Sequence, residues 1–305
     1  MWSAGYGDSG EQEGEDVAVD ASGNVVVVGQ AKGTIDFGGG ALTSAGEWDV
    51  FVAKLDPNGN HLWSKRFGDA ADQRASEVAV DAAGNVFVTG WFQGTMNFGG
   101  SNLTSAGAFD VFVAKFAPNG SHLWSKQFGN NFYQVSGGIA TDPMGNVVVG
   151  GWYEGAVDFG GGALPAAPTT GYDIFVVKLE ASNGNHVWSK AFGEAAGYQE
   201  VMGVAVDATG AVLLTGAFQN SIDFGGGPLY SAGERDSFAA KLDASGAHIW
   251  SKRYGATGNE HGFSVASTIS TNVLLAGIFQ GAVSFGGPTF NAQTGVDGYL
   301  VSLAP

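Results

Sequence analysis

Residues 49–67, DVFVAKLDPNGNHLWSKRF, set the pattern of the chain: an apolar run, a polar Asp-Pro-Asn-Gly break, then a run in which charged and apolar positions alternate. Short period-two runs around such a break predict two antiparallel strands joined by a tight turn. The stretch returns at 110–128, 173–192 and 236–254, and once more in two pieces, 297–303 and 2–6. Trp2, Trp63, Trp124, Trp188 and Trp250 mark the repeat at intervals of 61, 61, 64 and 62 residues. Gly29, Gly90, Gly151, Gly216 and Gly277 keep step with them. Self-similarity at a fixed period outranks any domain count taken from length. The expectation is a single domain, 1–305, of five units: 8–67, 68–128, 129–192, 193–254, and 255–305 together with 1–7.

Each unit reads as four strands. The first, 16–20 in unit one, is short and carries Ala18, with Ala79, Ala140, Ala205 and Ala266 in the other units. The second, 25–31, is an almost continuous apolar run, the pattern of a strand covered on both faces. A long segment, 33–48, precedes the third strand, 49–55, and the Asp-Pro-Asn-Gly turn leads to the fourth, 61–67. Tandem four-stranded units without a helical period predict an all-β fold, a five-bladed β-propeller of antiparallel blades. Strands that converge on an axis must be small, so the alanine-bearing first strand is placed innermost. The fourth, with Lys65 and Arg66, is placed at the rim, where charge discourages edge-to-edge pairing. The last unit lacks a fourth strand; 2–6 is expected to pair with 297–303 and close the ring.

Composition narrows the function. Glycine accounts for 51 of 305 residues and charged residues for 14%, which suits strands and turns. The net charge of −16 and the scatter of the 13 basic residues argue against nucleic acid and anionic membrane surfaces. Without cysteine there are no disulfides or thiolate metal sites. No apolar run reaches a membrane span. Since Trp2 already belongs to the repeat, the chain reads as a monomeric module excised from a larger precursor.

The runs at 17–25, VAVDASGNV, and 49–55, DVFVAKL, resemble the SBBP-type β-propeller repeat of bacteria. The resemblance implies a propeller and a setting in a large secreted or cell-surface bacterial protein. Five units here stand against the seven blades of that family's name. The hairpin is also similar, more distantly, to the tryptophan-docking repeat of quinone-dependent dehydrogenases.

Candidate chemistry sits at repeated positions. Asp49, Asp110, Asp173, Asp236 and Asp297 open the third strand of each unit. They read either as ligands or as loop-closing groups that accept backbone N–H bonds. Before the first three stand Trp48, Phe109 and Tyr172; Arg235 and Val296 replace them later. An aromatic face beside a carboxylate is a platform for a sugar ring, and packing of the loop base is the competing reading. Lys54, opposite Trp63 across the hairpin, is expected to lay its stem and ammonium on the indole. His61, His122, His186 and His248 are expected to be solvated turn residues. The repeated Gln12, Gln73, Gln134 and Gln199 are placed in the connections between units, bonding backbone where blades meet. Both long connections emerge at one end of the strands, so any ligand is expected there.

No catalytic set, cofactor motif or metal cluster stands out, although weakly held calcium is left open. A glycosidase needs two carboxylates in different roles, which near-identical loops do not offer. The chain therefore reads as a non-enzymatic binding or adhesion module with a glycan or, second, a protein as ligand. Its rivals are a scaffold with no ligand and an enzyme at the axial mouth.

Overall fold

A computed structural model describes residues 1–167, 171–193, 197–268 and 272–304. It is all-β; among the described residues there is no helix, and so none long and apolar enough to cross a membrane. The first sheet consists of Gln12–Val19, Val25–Ala31, Asp49–Leu55 and His61–Phe67, paired antiparallel in that order. The second repeats it with Gln73–Val80, Val86–Phe92, Asp110–Phe116 and His122–Phe128. The third has Gln134–Thr141, Val147–Tyr153, Asp173–Leu179 and His186–Phe192. The fourth has Gln199–Val206, Val212–Phe218, Asp236–Leu242 and His248–Tyr254. The fifth has three strands, His261–Ser267, Val273–Ser284 and Thr289–Leu303.

The second, third and fourth strands of unit one fall where the hydrophobic pattern places them. The first begins four residues early, at Gln12 instead of 16, because a bulge between Gly14 and Asp16 interrupts its alternation. The same bulge recurs in the other four sheets. It corrects the position of the repeated glutamines, which open the inner strands. Gln73, Gln134 and Gln199 are fully buried there and donate to the carbonyls of Gln93, Glu154 and Gln219. The long segment of unit one folds back as a two-residue hairpin, Thr34–Ile35 against Leu42–Thr43.

Successive sheets pack face to face in the manner of propeller blades, with their first strands adjacent. Val26, Val28, Val50 and Val52 of the first sheet share one core with Val86, Val88, Phe112 and Phe116 of the second. Three of the four junctions are latched at the rim by an indole. The indole N–H of Trp63 donates to Pro118 O in the next sheet's hairpin turn at 3.0 Å. Trp124 and Trp188 donate to Ala181 O and Ala244 O, each at 3.1 Å. The turn glycine is required twice over: Gly120 has φ 81°, and a Cβ on it would stand 2.8 Å from the Trp63 ring.

Beneath the latch lies a repeated buried ion pair. Lys54, Lys178 and Lys241 reach Asp20, Asp142 and Asp207 at 2.8–2.9 Å, and Lys115 reaches Asp81 at 3.5 Å. Lys54 does lie opposite Trp63 in register. Its ammonium turns to Asp20 and to Pro118 O instead of resting on the indole, because a charge out of water needs an opposite charge.

The expected closure is not formed. Residues 1–7 adopt no strand, and the outer edge of Asp297–Leu303 is unpaired. The N-terminal segment is nevertheless seated. Trp2 donates to Pro57 O at 3.0 Å, and Tyr6 stacks on Phe37 at 4.7 Å, as Phe67 does on Phe98. It meets the first sheet as the other fourth strands meet the sheet that follows them, but it has no strand partner.

One inner-strand carboxyl gives a pH signature. Burial pushes Glu77 up to about 8, against the Ile139 N–H bond that its carboxylate accepts and with help from Asp16. A raised folded pKa contributes stability that is complete below about 4.5 and lost as pH rises towards 8. Glu77→Gln is expected to unfold nearly like the parent at pH 5 and to be more stable by up to about 5 kcal/mol at pH 9. Urea melts at the two pH values check this; equal gains at both would contradict it.

Candidate functional site

The long connections meet where the third strand of one sheet begins beside the first strand of the next. The backbone fixes this corner. The carbonyls of Trp48, Phe109, Tyr172 and Arg235 accept N–H bonds from Gln73, Gln134, Gln199 and Glu260 of the following unit, at 2.8–2.9 Å. The residue before the repeated Asp is therefore held at a junction between sheets.

The carboxylates take the loop-closing role. Asp49, Asp110 and Asp236 are buried and accept the N–H groups of Ala45, Ala106 and Ala232 at 2.8, 2.9 and 3.1 Å. Arg66 and Arg253, read as rim charges, fold back onto Asp49 and Asp236. Burial raises the pKa of Asp49 and of Asp110, opposed chiefly by those loop N–H bonds. Asp173 stands at the same position in the third sheet. Among the described residues, no three acidic or histidine side chains converge in a way that could hold a metal ion. The carboxylates before the Phe-Gly-Gly turns are spent on capping: Asp36, Asp158 and Asp223 accept the N–H groups of Gly38, Gly160 and Gly225 at 2.7 Å.

The turn histidines, expected to be solvated, are half-buried over glycine. His61, His122, His186 and His248 bond Ser64, Ser125, Ser189 and Ser251 at 3.0–3.1 Å.

The aromatic positions form two clusters of packed rings and cations instead of isolated platforms. Trp48 is only 6% exposed, with Lys32 at 5.1 Å and Arg74 at 4.8 Å from its ring centre. Arg74 also lies 5.6 Å from Trp91 and pairs with Glu13. Trp91 stacks on Phe109 at 4.1 Å, and Phe109 meets Tyr133 edge-on at 5.0 Å. In the third and fourth sheets, Trp152 stacks on Tyr172 at 4.3 Å, Tyr172 meets Tyr198 at 5.0 Å, and Arg235 lies 5.1 Å from Tyr198. The expected sugar platforms are thus engaged by neighbours from their own and the following sheet. Next to these clusters Phe132, Tyr133 and Tyr198 stay open, each about 40% exposed.

Symmetry breaks at the junction of the fourth and fifth sheets. Glu200 is buried, pairs with Arg235 at 3.0 Å, accepts a long bond from the Tyr172 hydroxyl at 3.4 Å, and has His261 Nδ1 at 3.6 Å. Burial raises the Glu200 pKa against the pull of Arg235. Burial, then Arg235, lowers that of His261. The group holds one structural ion pair, and among the described residues no second carboxylate stands in a complementary role.

Arg74, Trp91, Trp152, Tyr133, Tyr198 and Glu200 were not picked out from the pattern. A signal was present: Trp91 and Trp152 follow the repeated Gly90 and Gly151, while Tyr133 and Tyr198 precede the repeated Gln134 and Gln199. Variable residues beside fixed ones mark where a repeat differs from its copies.

No family model matches the chain. It is 26% identical over 204 residues to an uncharacterized WD repeat-containing protein of Acanthamoeba polyphaga mimivirus, a match that covers 57% of this chain. The chain spans only 14% of that relative's length. It is similar to the crystal structure of a glucose dehydrogenase over 97% of this chain and 83% of that one, at 12% identity and a TM-score of 0.46. It is also similar to a protein of unknown function from Bacteroides caccae over 82% of this chain and 71% of that one, at 11% identity and a TM-score of 0.42.

Proposed function

We propose that this chain is a non-enzymatic interaction module that binds a protein segment on the face of the long connections. The carrying observation is the pair of packed aromatic clusters, Trp91–Phe109–Tyr133 and Trp152–Tyr172–Tyr198–Arg235, whose open members are Tyr133 and Tyr198, with the exposed Phe132 next to Tyr133 in the chain. Aromatic and arginine side chains held rigid by their neighbours are the residues that dominate protein–protein hot spots. They lose little rotamer freedom on binding because the stacks already fix them. A glycan is the weaker reading: Trp48 and Phe109, which would stack on a sugar, have their rings engaged.

A random peptide display library panned against the wild-type protein tests this. Enriched peptides are expected to lose at least tenfold in affinity when Phe132, Tyr133 and Tyr198 are all replaced by Ser, with the melting temperature little changed. Binding on a glycan array that survives those changes and is lost in Trp48→Ala would favour the sugar reading. Turnover in a glycoside screen would favour an enzyme. Silence in all three would leave a scaffold.

A further inference from the structure

The two ends of the array present complementary surfaces that none of the described residues covers. On the first sheet, Val17 is 57% and Val19 61% exposed. Their counterparts face the preceding sheet: Val78, at the position of Val17, is 5% exposed. On the fifth sheet, Leu300 is 79% exposed, whereas Val52, its counterpart, is fully buried against the next sheet. An open groove of about 450 Å³ runs along this edge, lined by Phe279, Phe290, Asp297, Tyr299 and Leu300. The unpaired Asp297–Leu303 edge and the strandless 2–6 segment lie on these same two surfaces.

We infer that the open edge of the fifth sheet receives the first sheet and N-terminal segment of a second copy of this chain, head to tail. The four junctions inside the chain show what such faces take. In each, the trailing face of one repeat packs on the leading face of the next. The fourth strand pairs within its own sheet while its aromatic residues grip the following one. The 2–6 segment already grips the first sheet through Trp2 and Tyr6 with the same partners and spacing. What it lacks is a third strand to pair with, and Asp297–Leu303 is a third strand without a fourth. In the internal register, Val50 faces Phe67 and Lys54 faces Trp63. The intermolecular ladder therefore sets Tyr6 of the second copy opposite Gly298 and Trp2 opposite Ser302. A second copy is favoured over the chain's own N-terminus because self-closure requires four well-packed junctions to change their angle. A second copy needs none of them to move. The contact is heterologous, so each copy keeps one free end unless the assembly closes on itself.

The experiment is sedimentation of the full chain from about 1 to 100 μM, with two single-end variants. The wild type is expected to run at twice the mass of one chain or more as concentration rises. Val17→Glu/Val19→Glu blocks the leading end and Leu300→Glu the trailing end; neither changes a residue buried in one chain. Each variant is expected to be monomeric alone with an unchanged circular dichroism spectrum. Mixed in equal amounts, they are expected to form a one-to-one heterodimer through their intact ends. A wild type monomeric at 100 μM would overturn the inference. So would a mixture that stays monomeric, or an efficient disulfide within one chain between cysteines at 17 and 300, which would report self-closure.

Discussion

Asp20→Ala is expected to destabilise the protein by about 3–5 kcal/mol, because it strands the Lys54 ammonium in a place water does not reach. Lys54 is 2% exposed, and its pair with Asp20 measures 2.9 Å. Burial alone would raise the Asp20 pKa; the bonds from Lys54 and Asn24 overcome it and hold the carboxyl well below the ordinary carboxylate range. A depressed folded pKa fixes the sign. This stabilisation is complete above the unfolded value near 3.8 and is lost as pH falls towards the folded one. The loss from Asp20→Ala is therefore expected in full at pH 7 and is expected to shrink below pH 3. The double replacement Asp20→Asn/Lys54→Met removes both charges and is expected to recover most of the loss, since a pair taken out together leaves no orphan. Urea melts of the single and double variants at pH 7 check this. A double variant no better than Asp20→Ala would show that packing, not charge, accounts for the site.

Trp124→Ala is the second large effect, at about 3–5 kcal/mol, the range for emptying an aromatic site in a core. The indole is 7% exposed, meets Phe87 at 6.0 Å between ring centres and donates to Ala181 O in the next sheet. Trp124→Phe keeps most of the packing and is expected to cost about 1 kcal/mol, the net value of one hydrogen bond. Ala181 O retains its bond from Lys115. Trp2, in the same latch on the first sheet, is 41% exposed, and its removal is expected to cost less than half as much as that of Trp124. Each sheet contacts its neighbours in sequence, so loss of one latch is felt at one junction. Hydrogen exchange of Trp124→Ala is expected to quicken in the second and third sheets before the fourth. Uniform quickening across all sheets would instead mark the array as a single cooperative unit.

Much of this architecture is legible in the residue pattern, for a physical reason. The third strand is a buried run and the fourth an alternating one on either side of an Asp-Pro-Asn-Gly turn, and such local chemistry fixes both the strands and their register. The role of Asp49 as loop-closer is legible too, because its partner, Ala45, is four residues away. What escaped depends on irregular strands and on contacts between residues far apart in the chain. The bulge at Gly14/Asp16 hid the start of the inner strand. The destination of the Lys54 ammonium depends on Asp20, which lies on a different strand pair. Trp48, Phe109 and Tyr172 were recognised as a special position, but their rings are met by Arg74, Tyr133 and Tyr198 of the following unit. The N-terminal segment was expected to be a fourth strand; it forms none, although Trp2 and Tyr6 meet the first sheet as the side chains of a fourth strand would. Its pairing partner could not be read from repetition, since identical repeats do not specify whether the missing neighbour lies in the same chain.

The central claim is that recognition belongs to the long-connection face and not to the tight-turn face. The most direct measurement is hydrogen exchange of the wild-type protein with and without a peptide selected on it. The account predicts slowed exchange at residues 130–135 and 197–201, with residues 20–24, 56–60 and 117–121 unchanged. Protection of those turns, with the long connections unaffected, would contradict it.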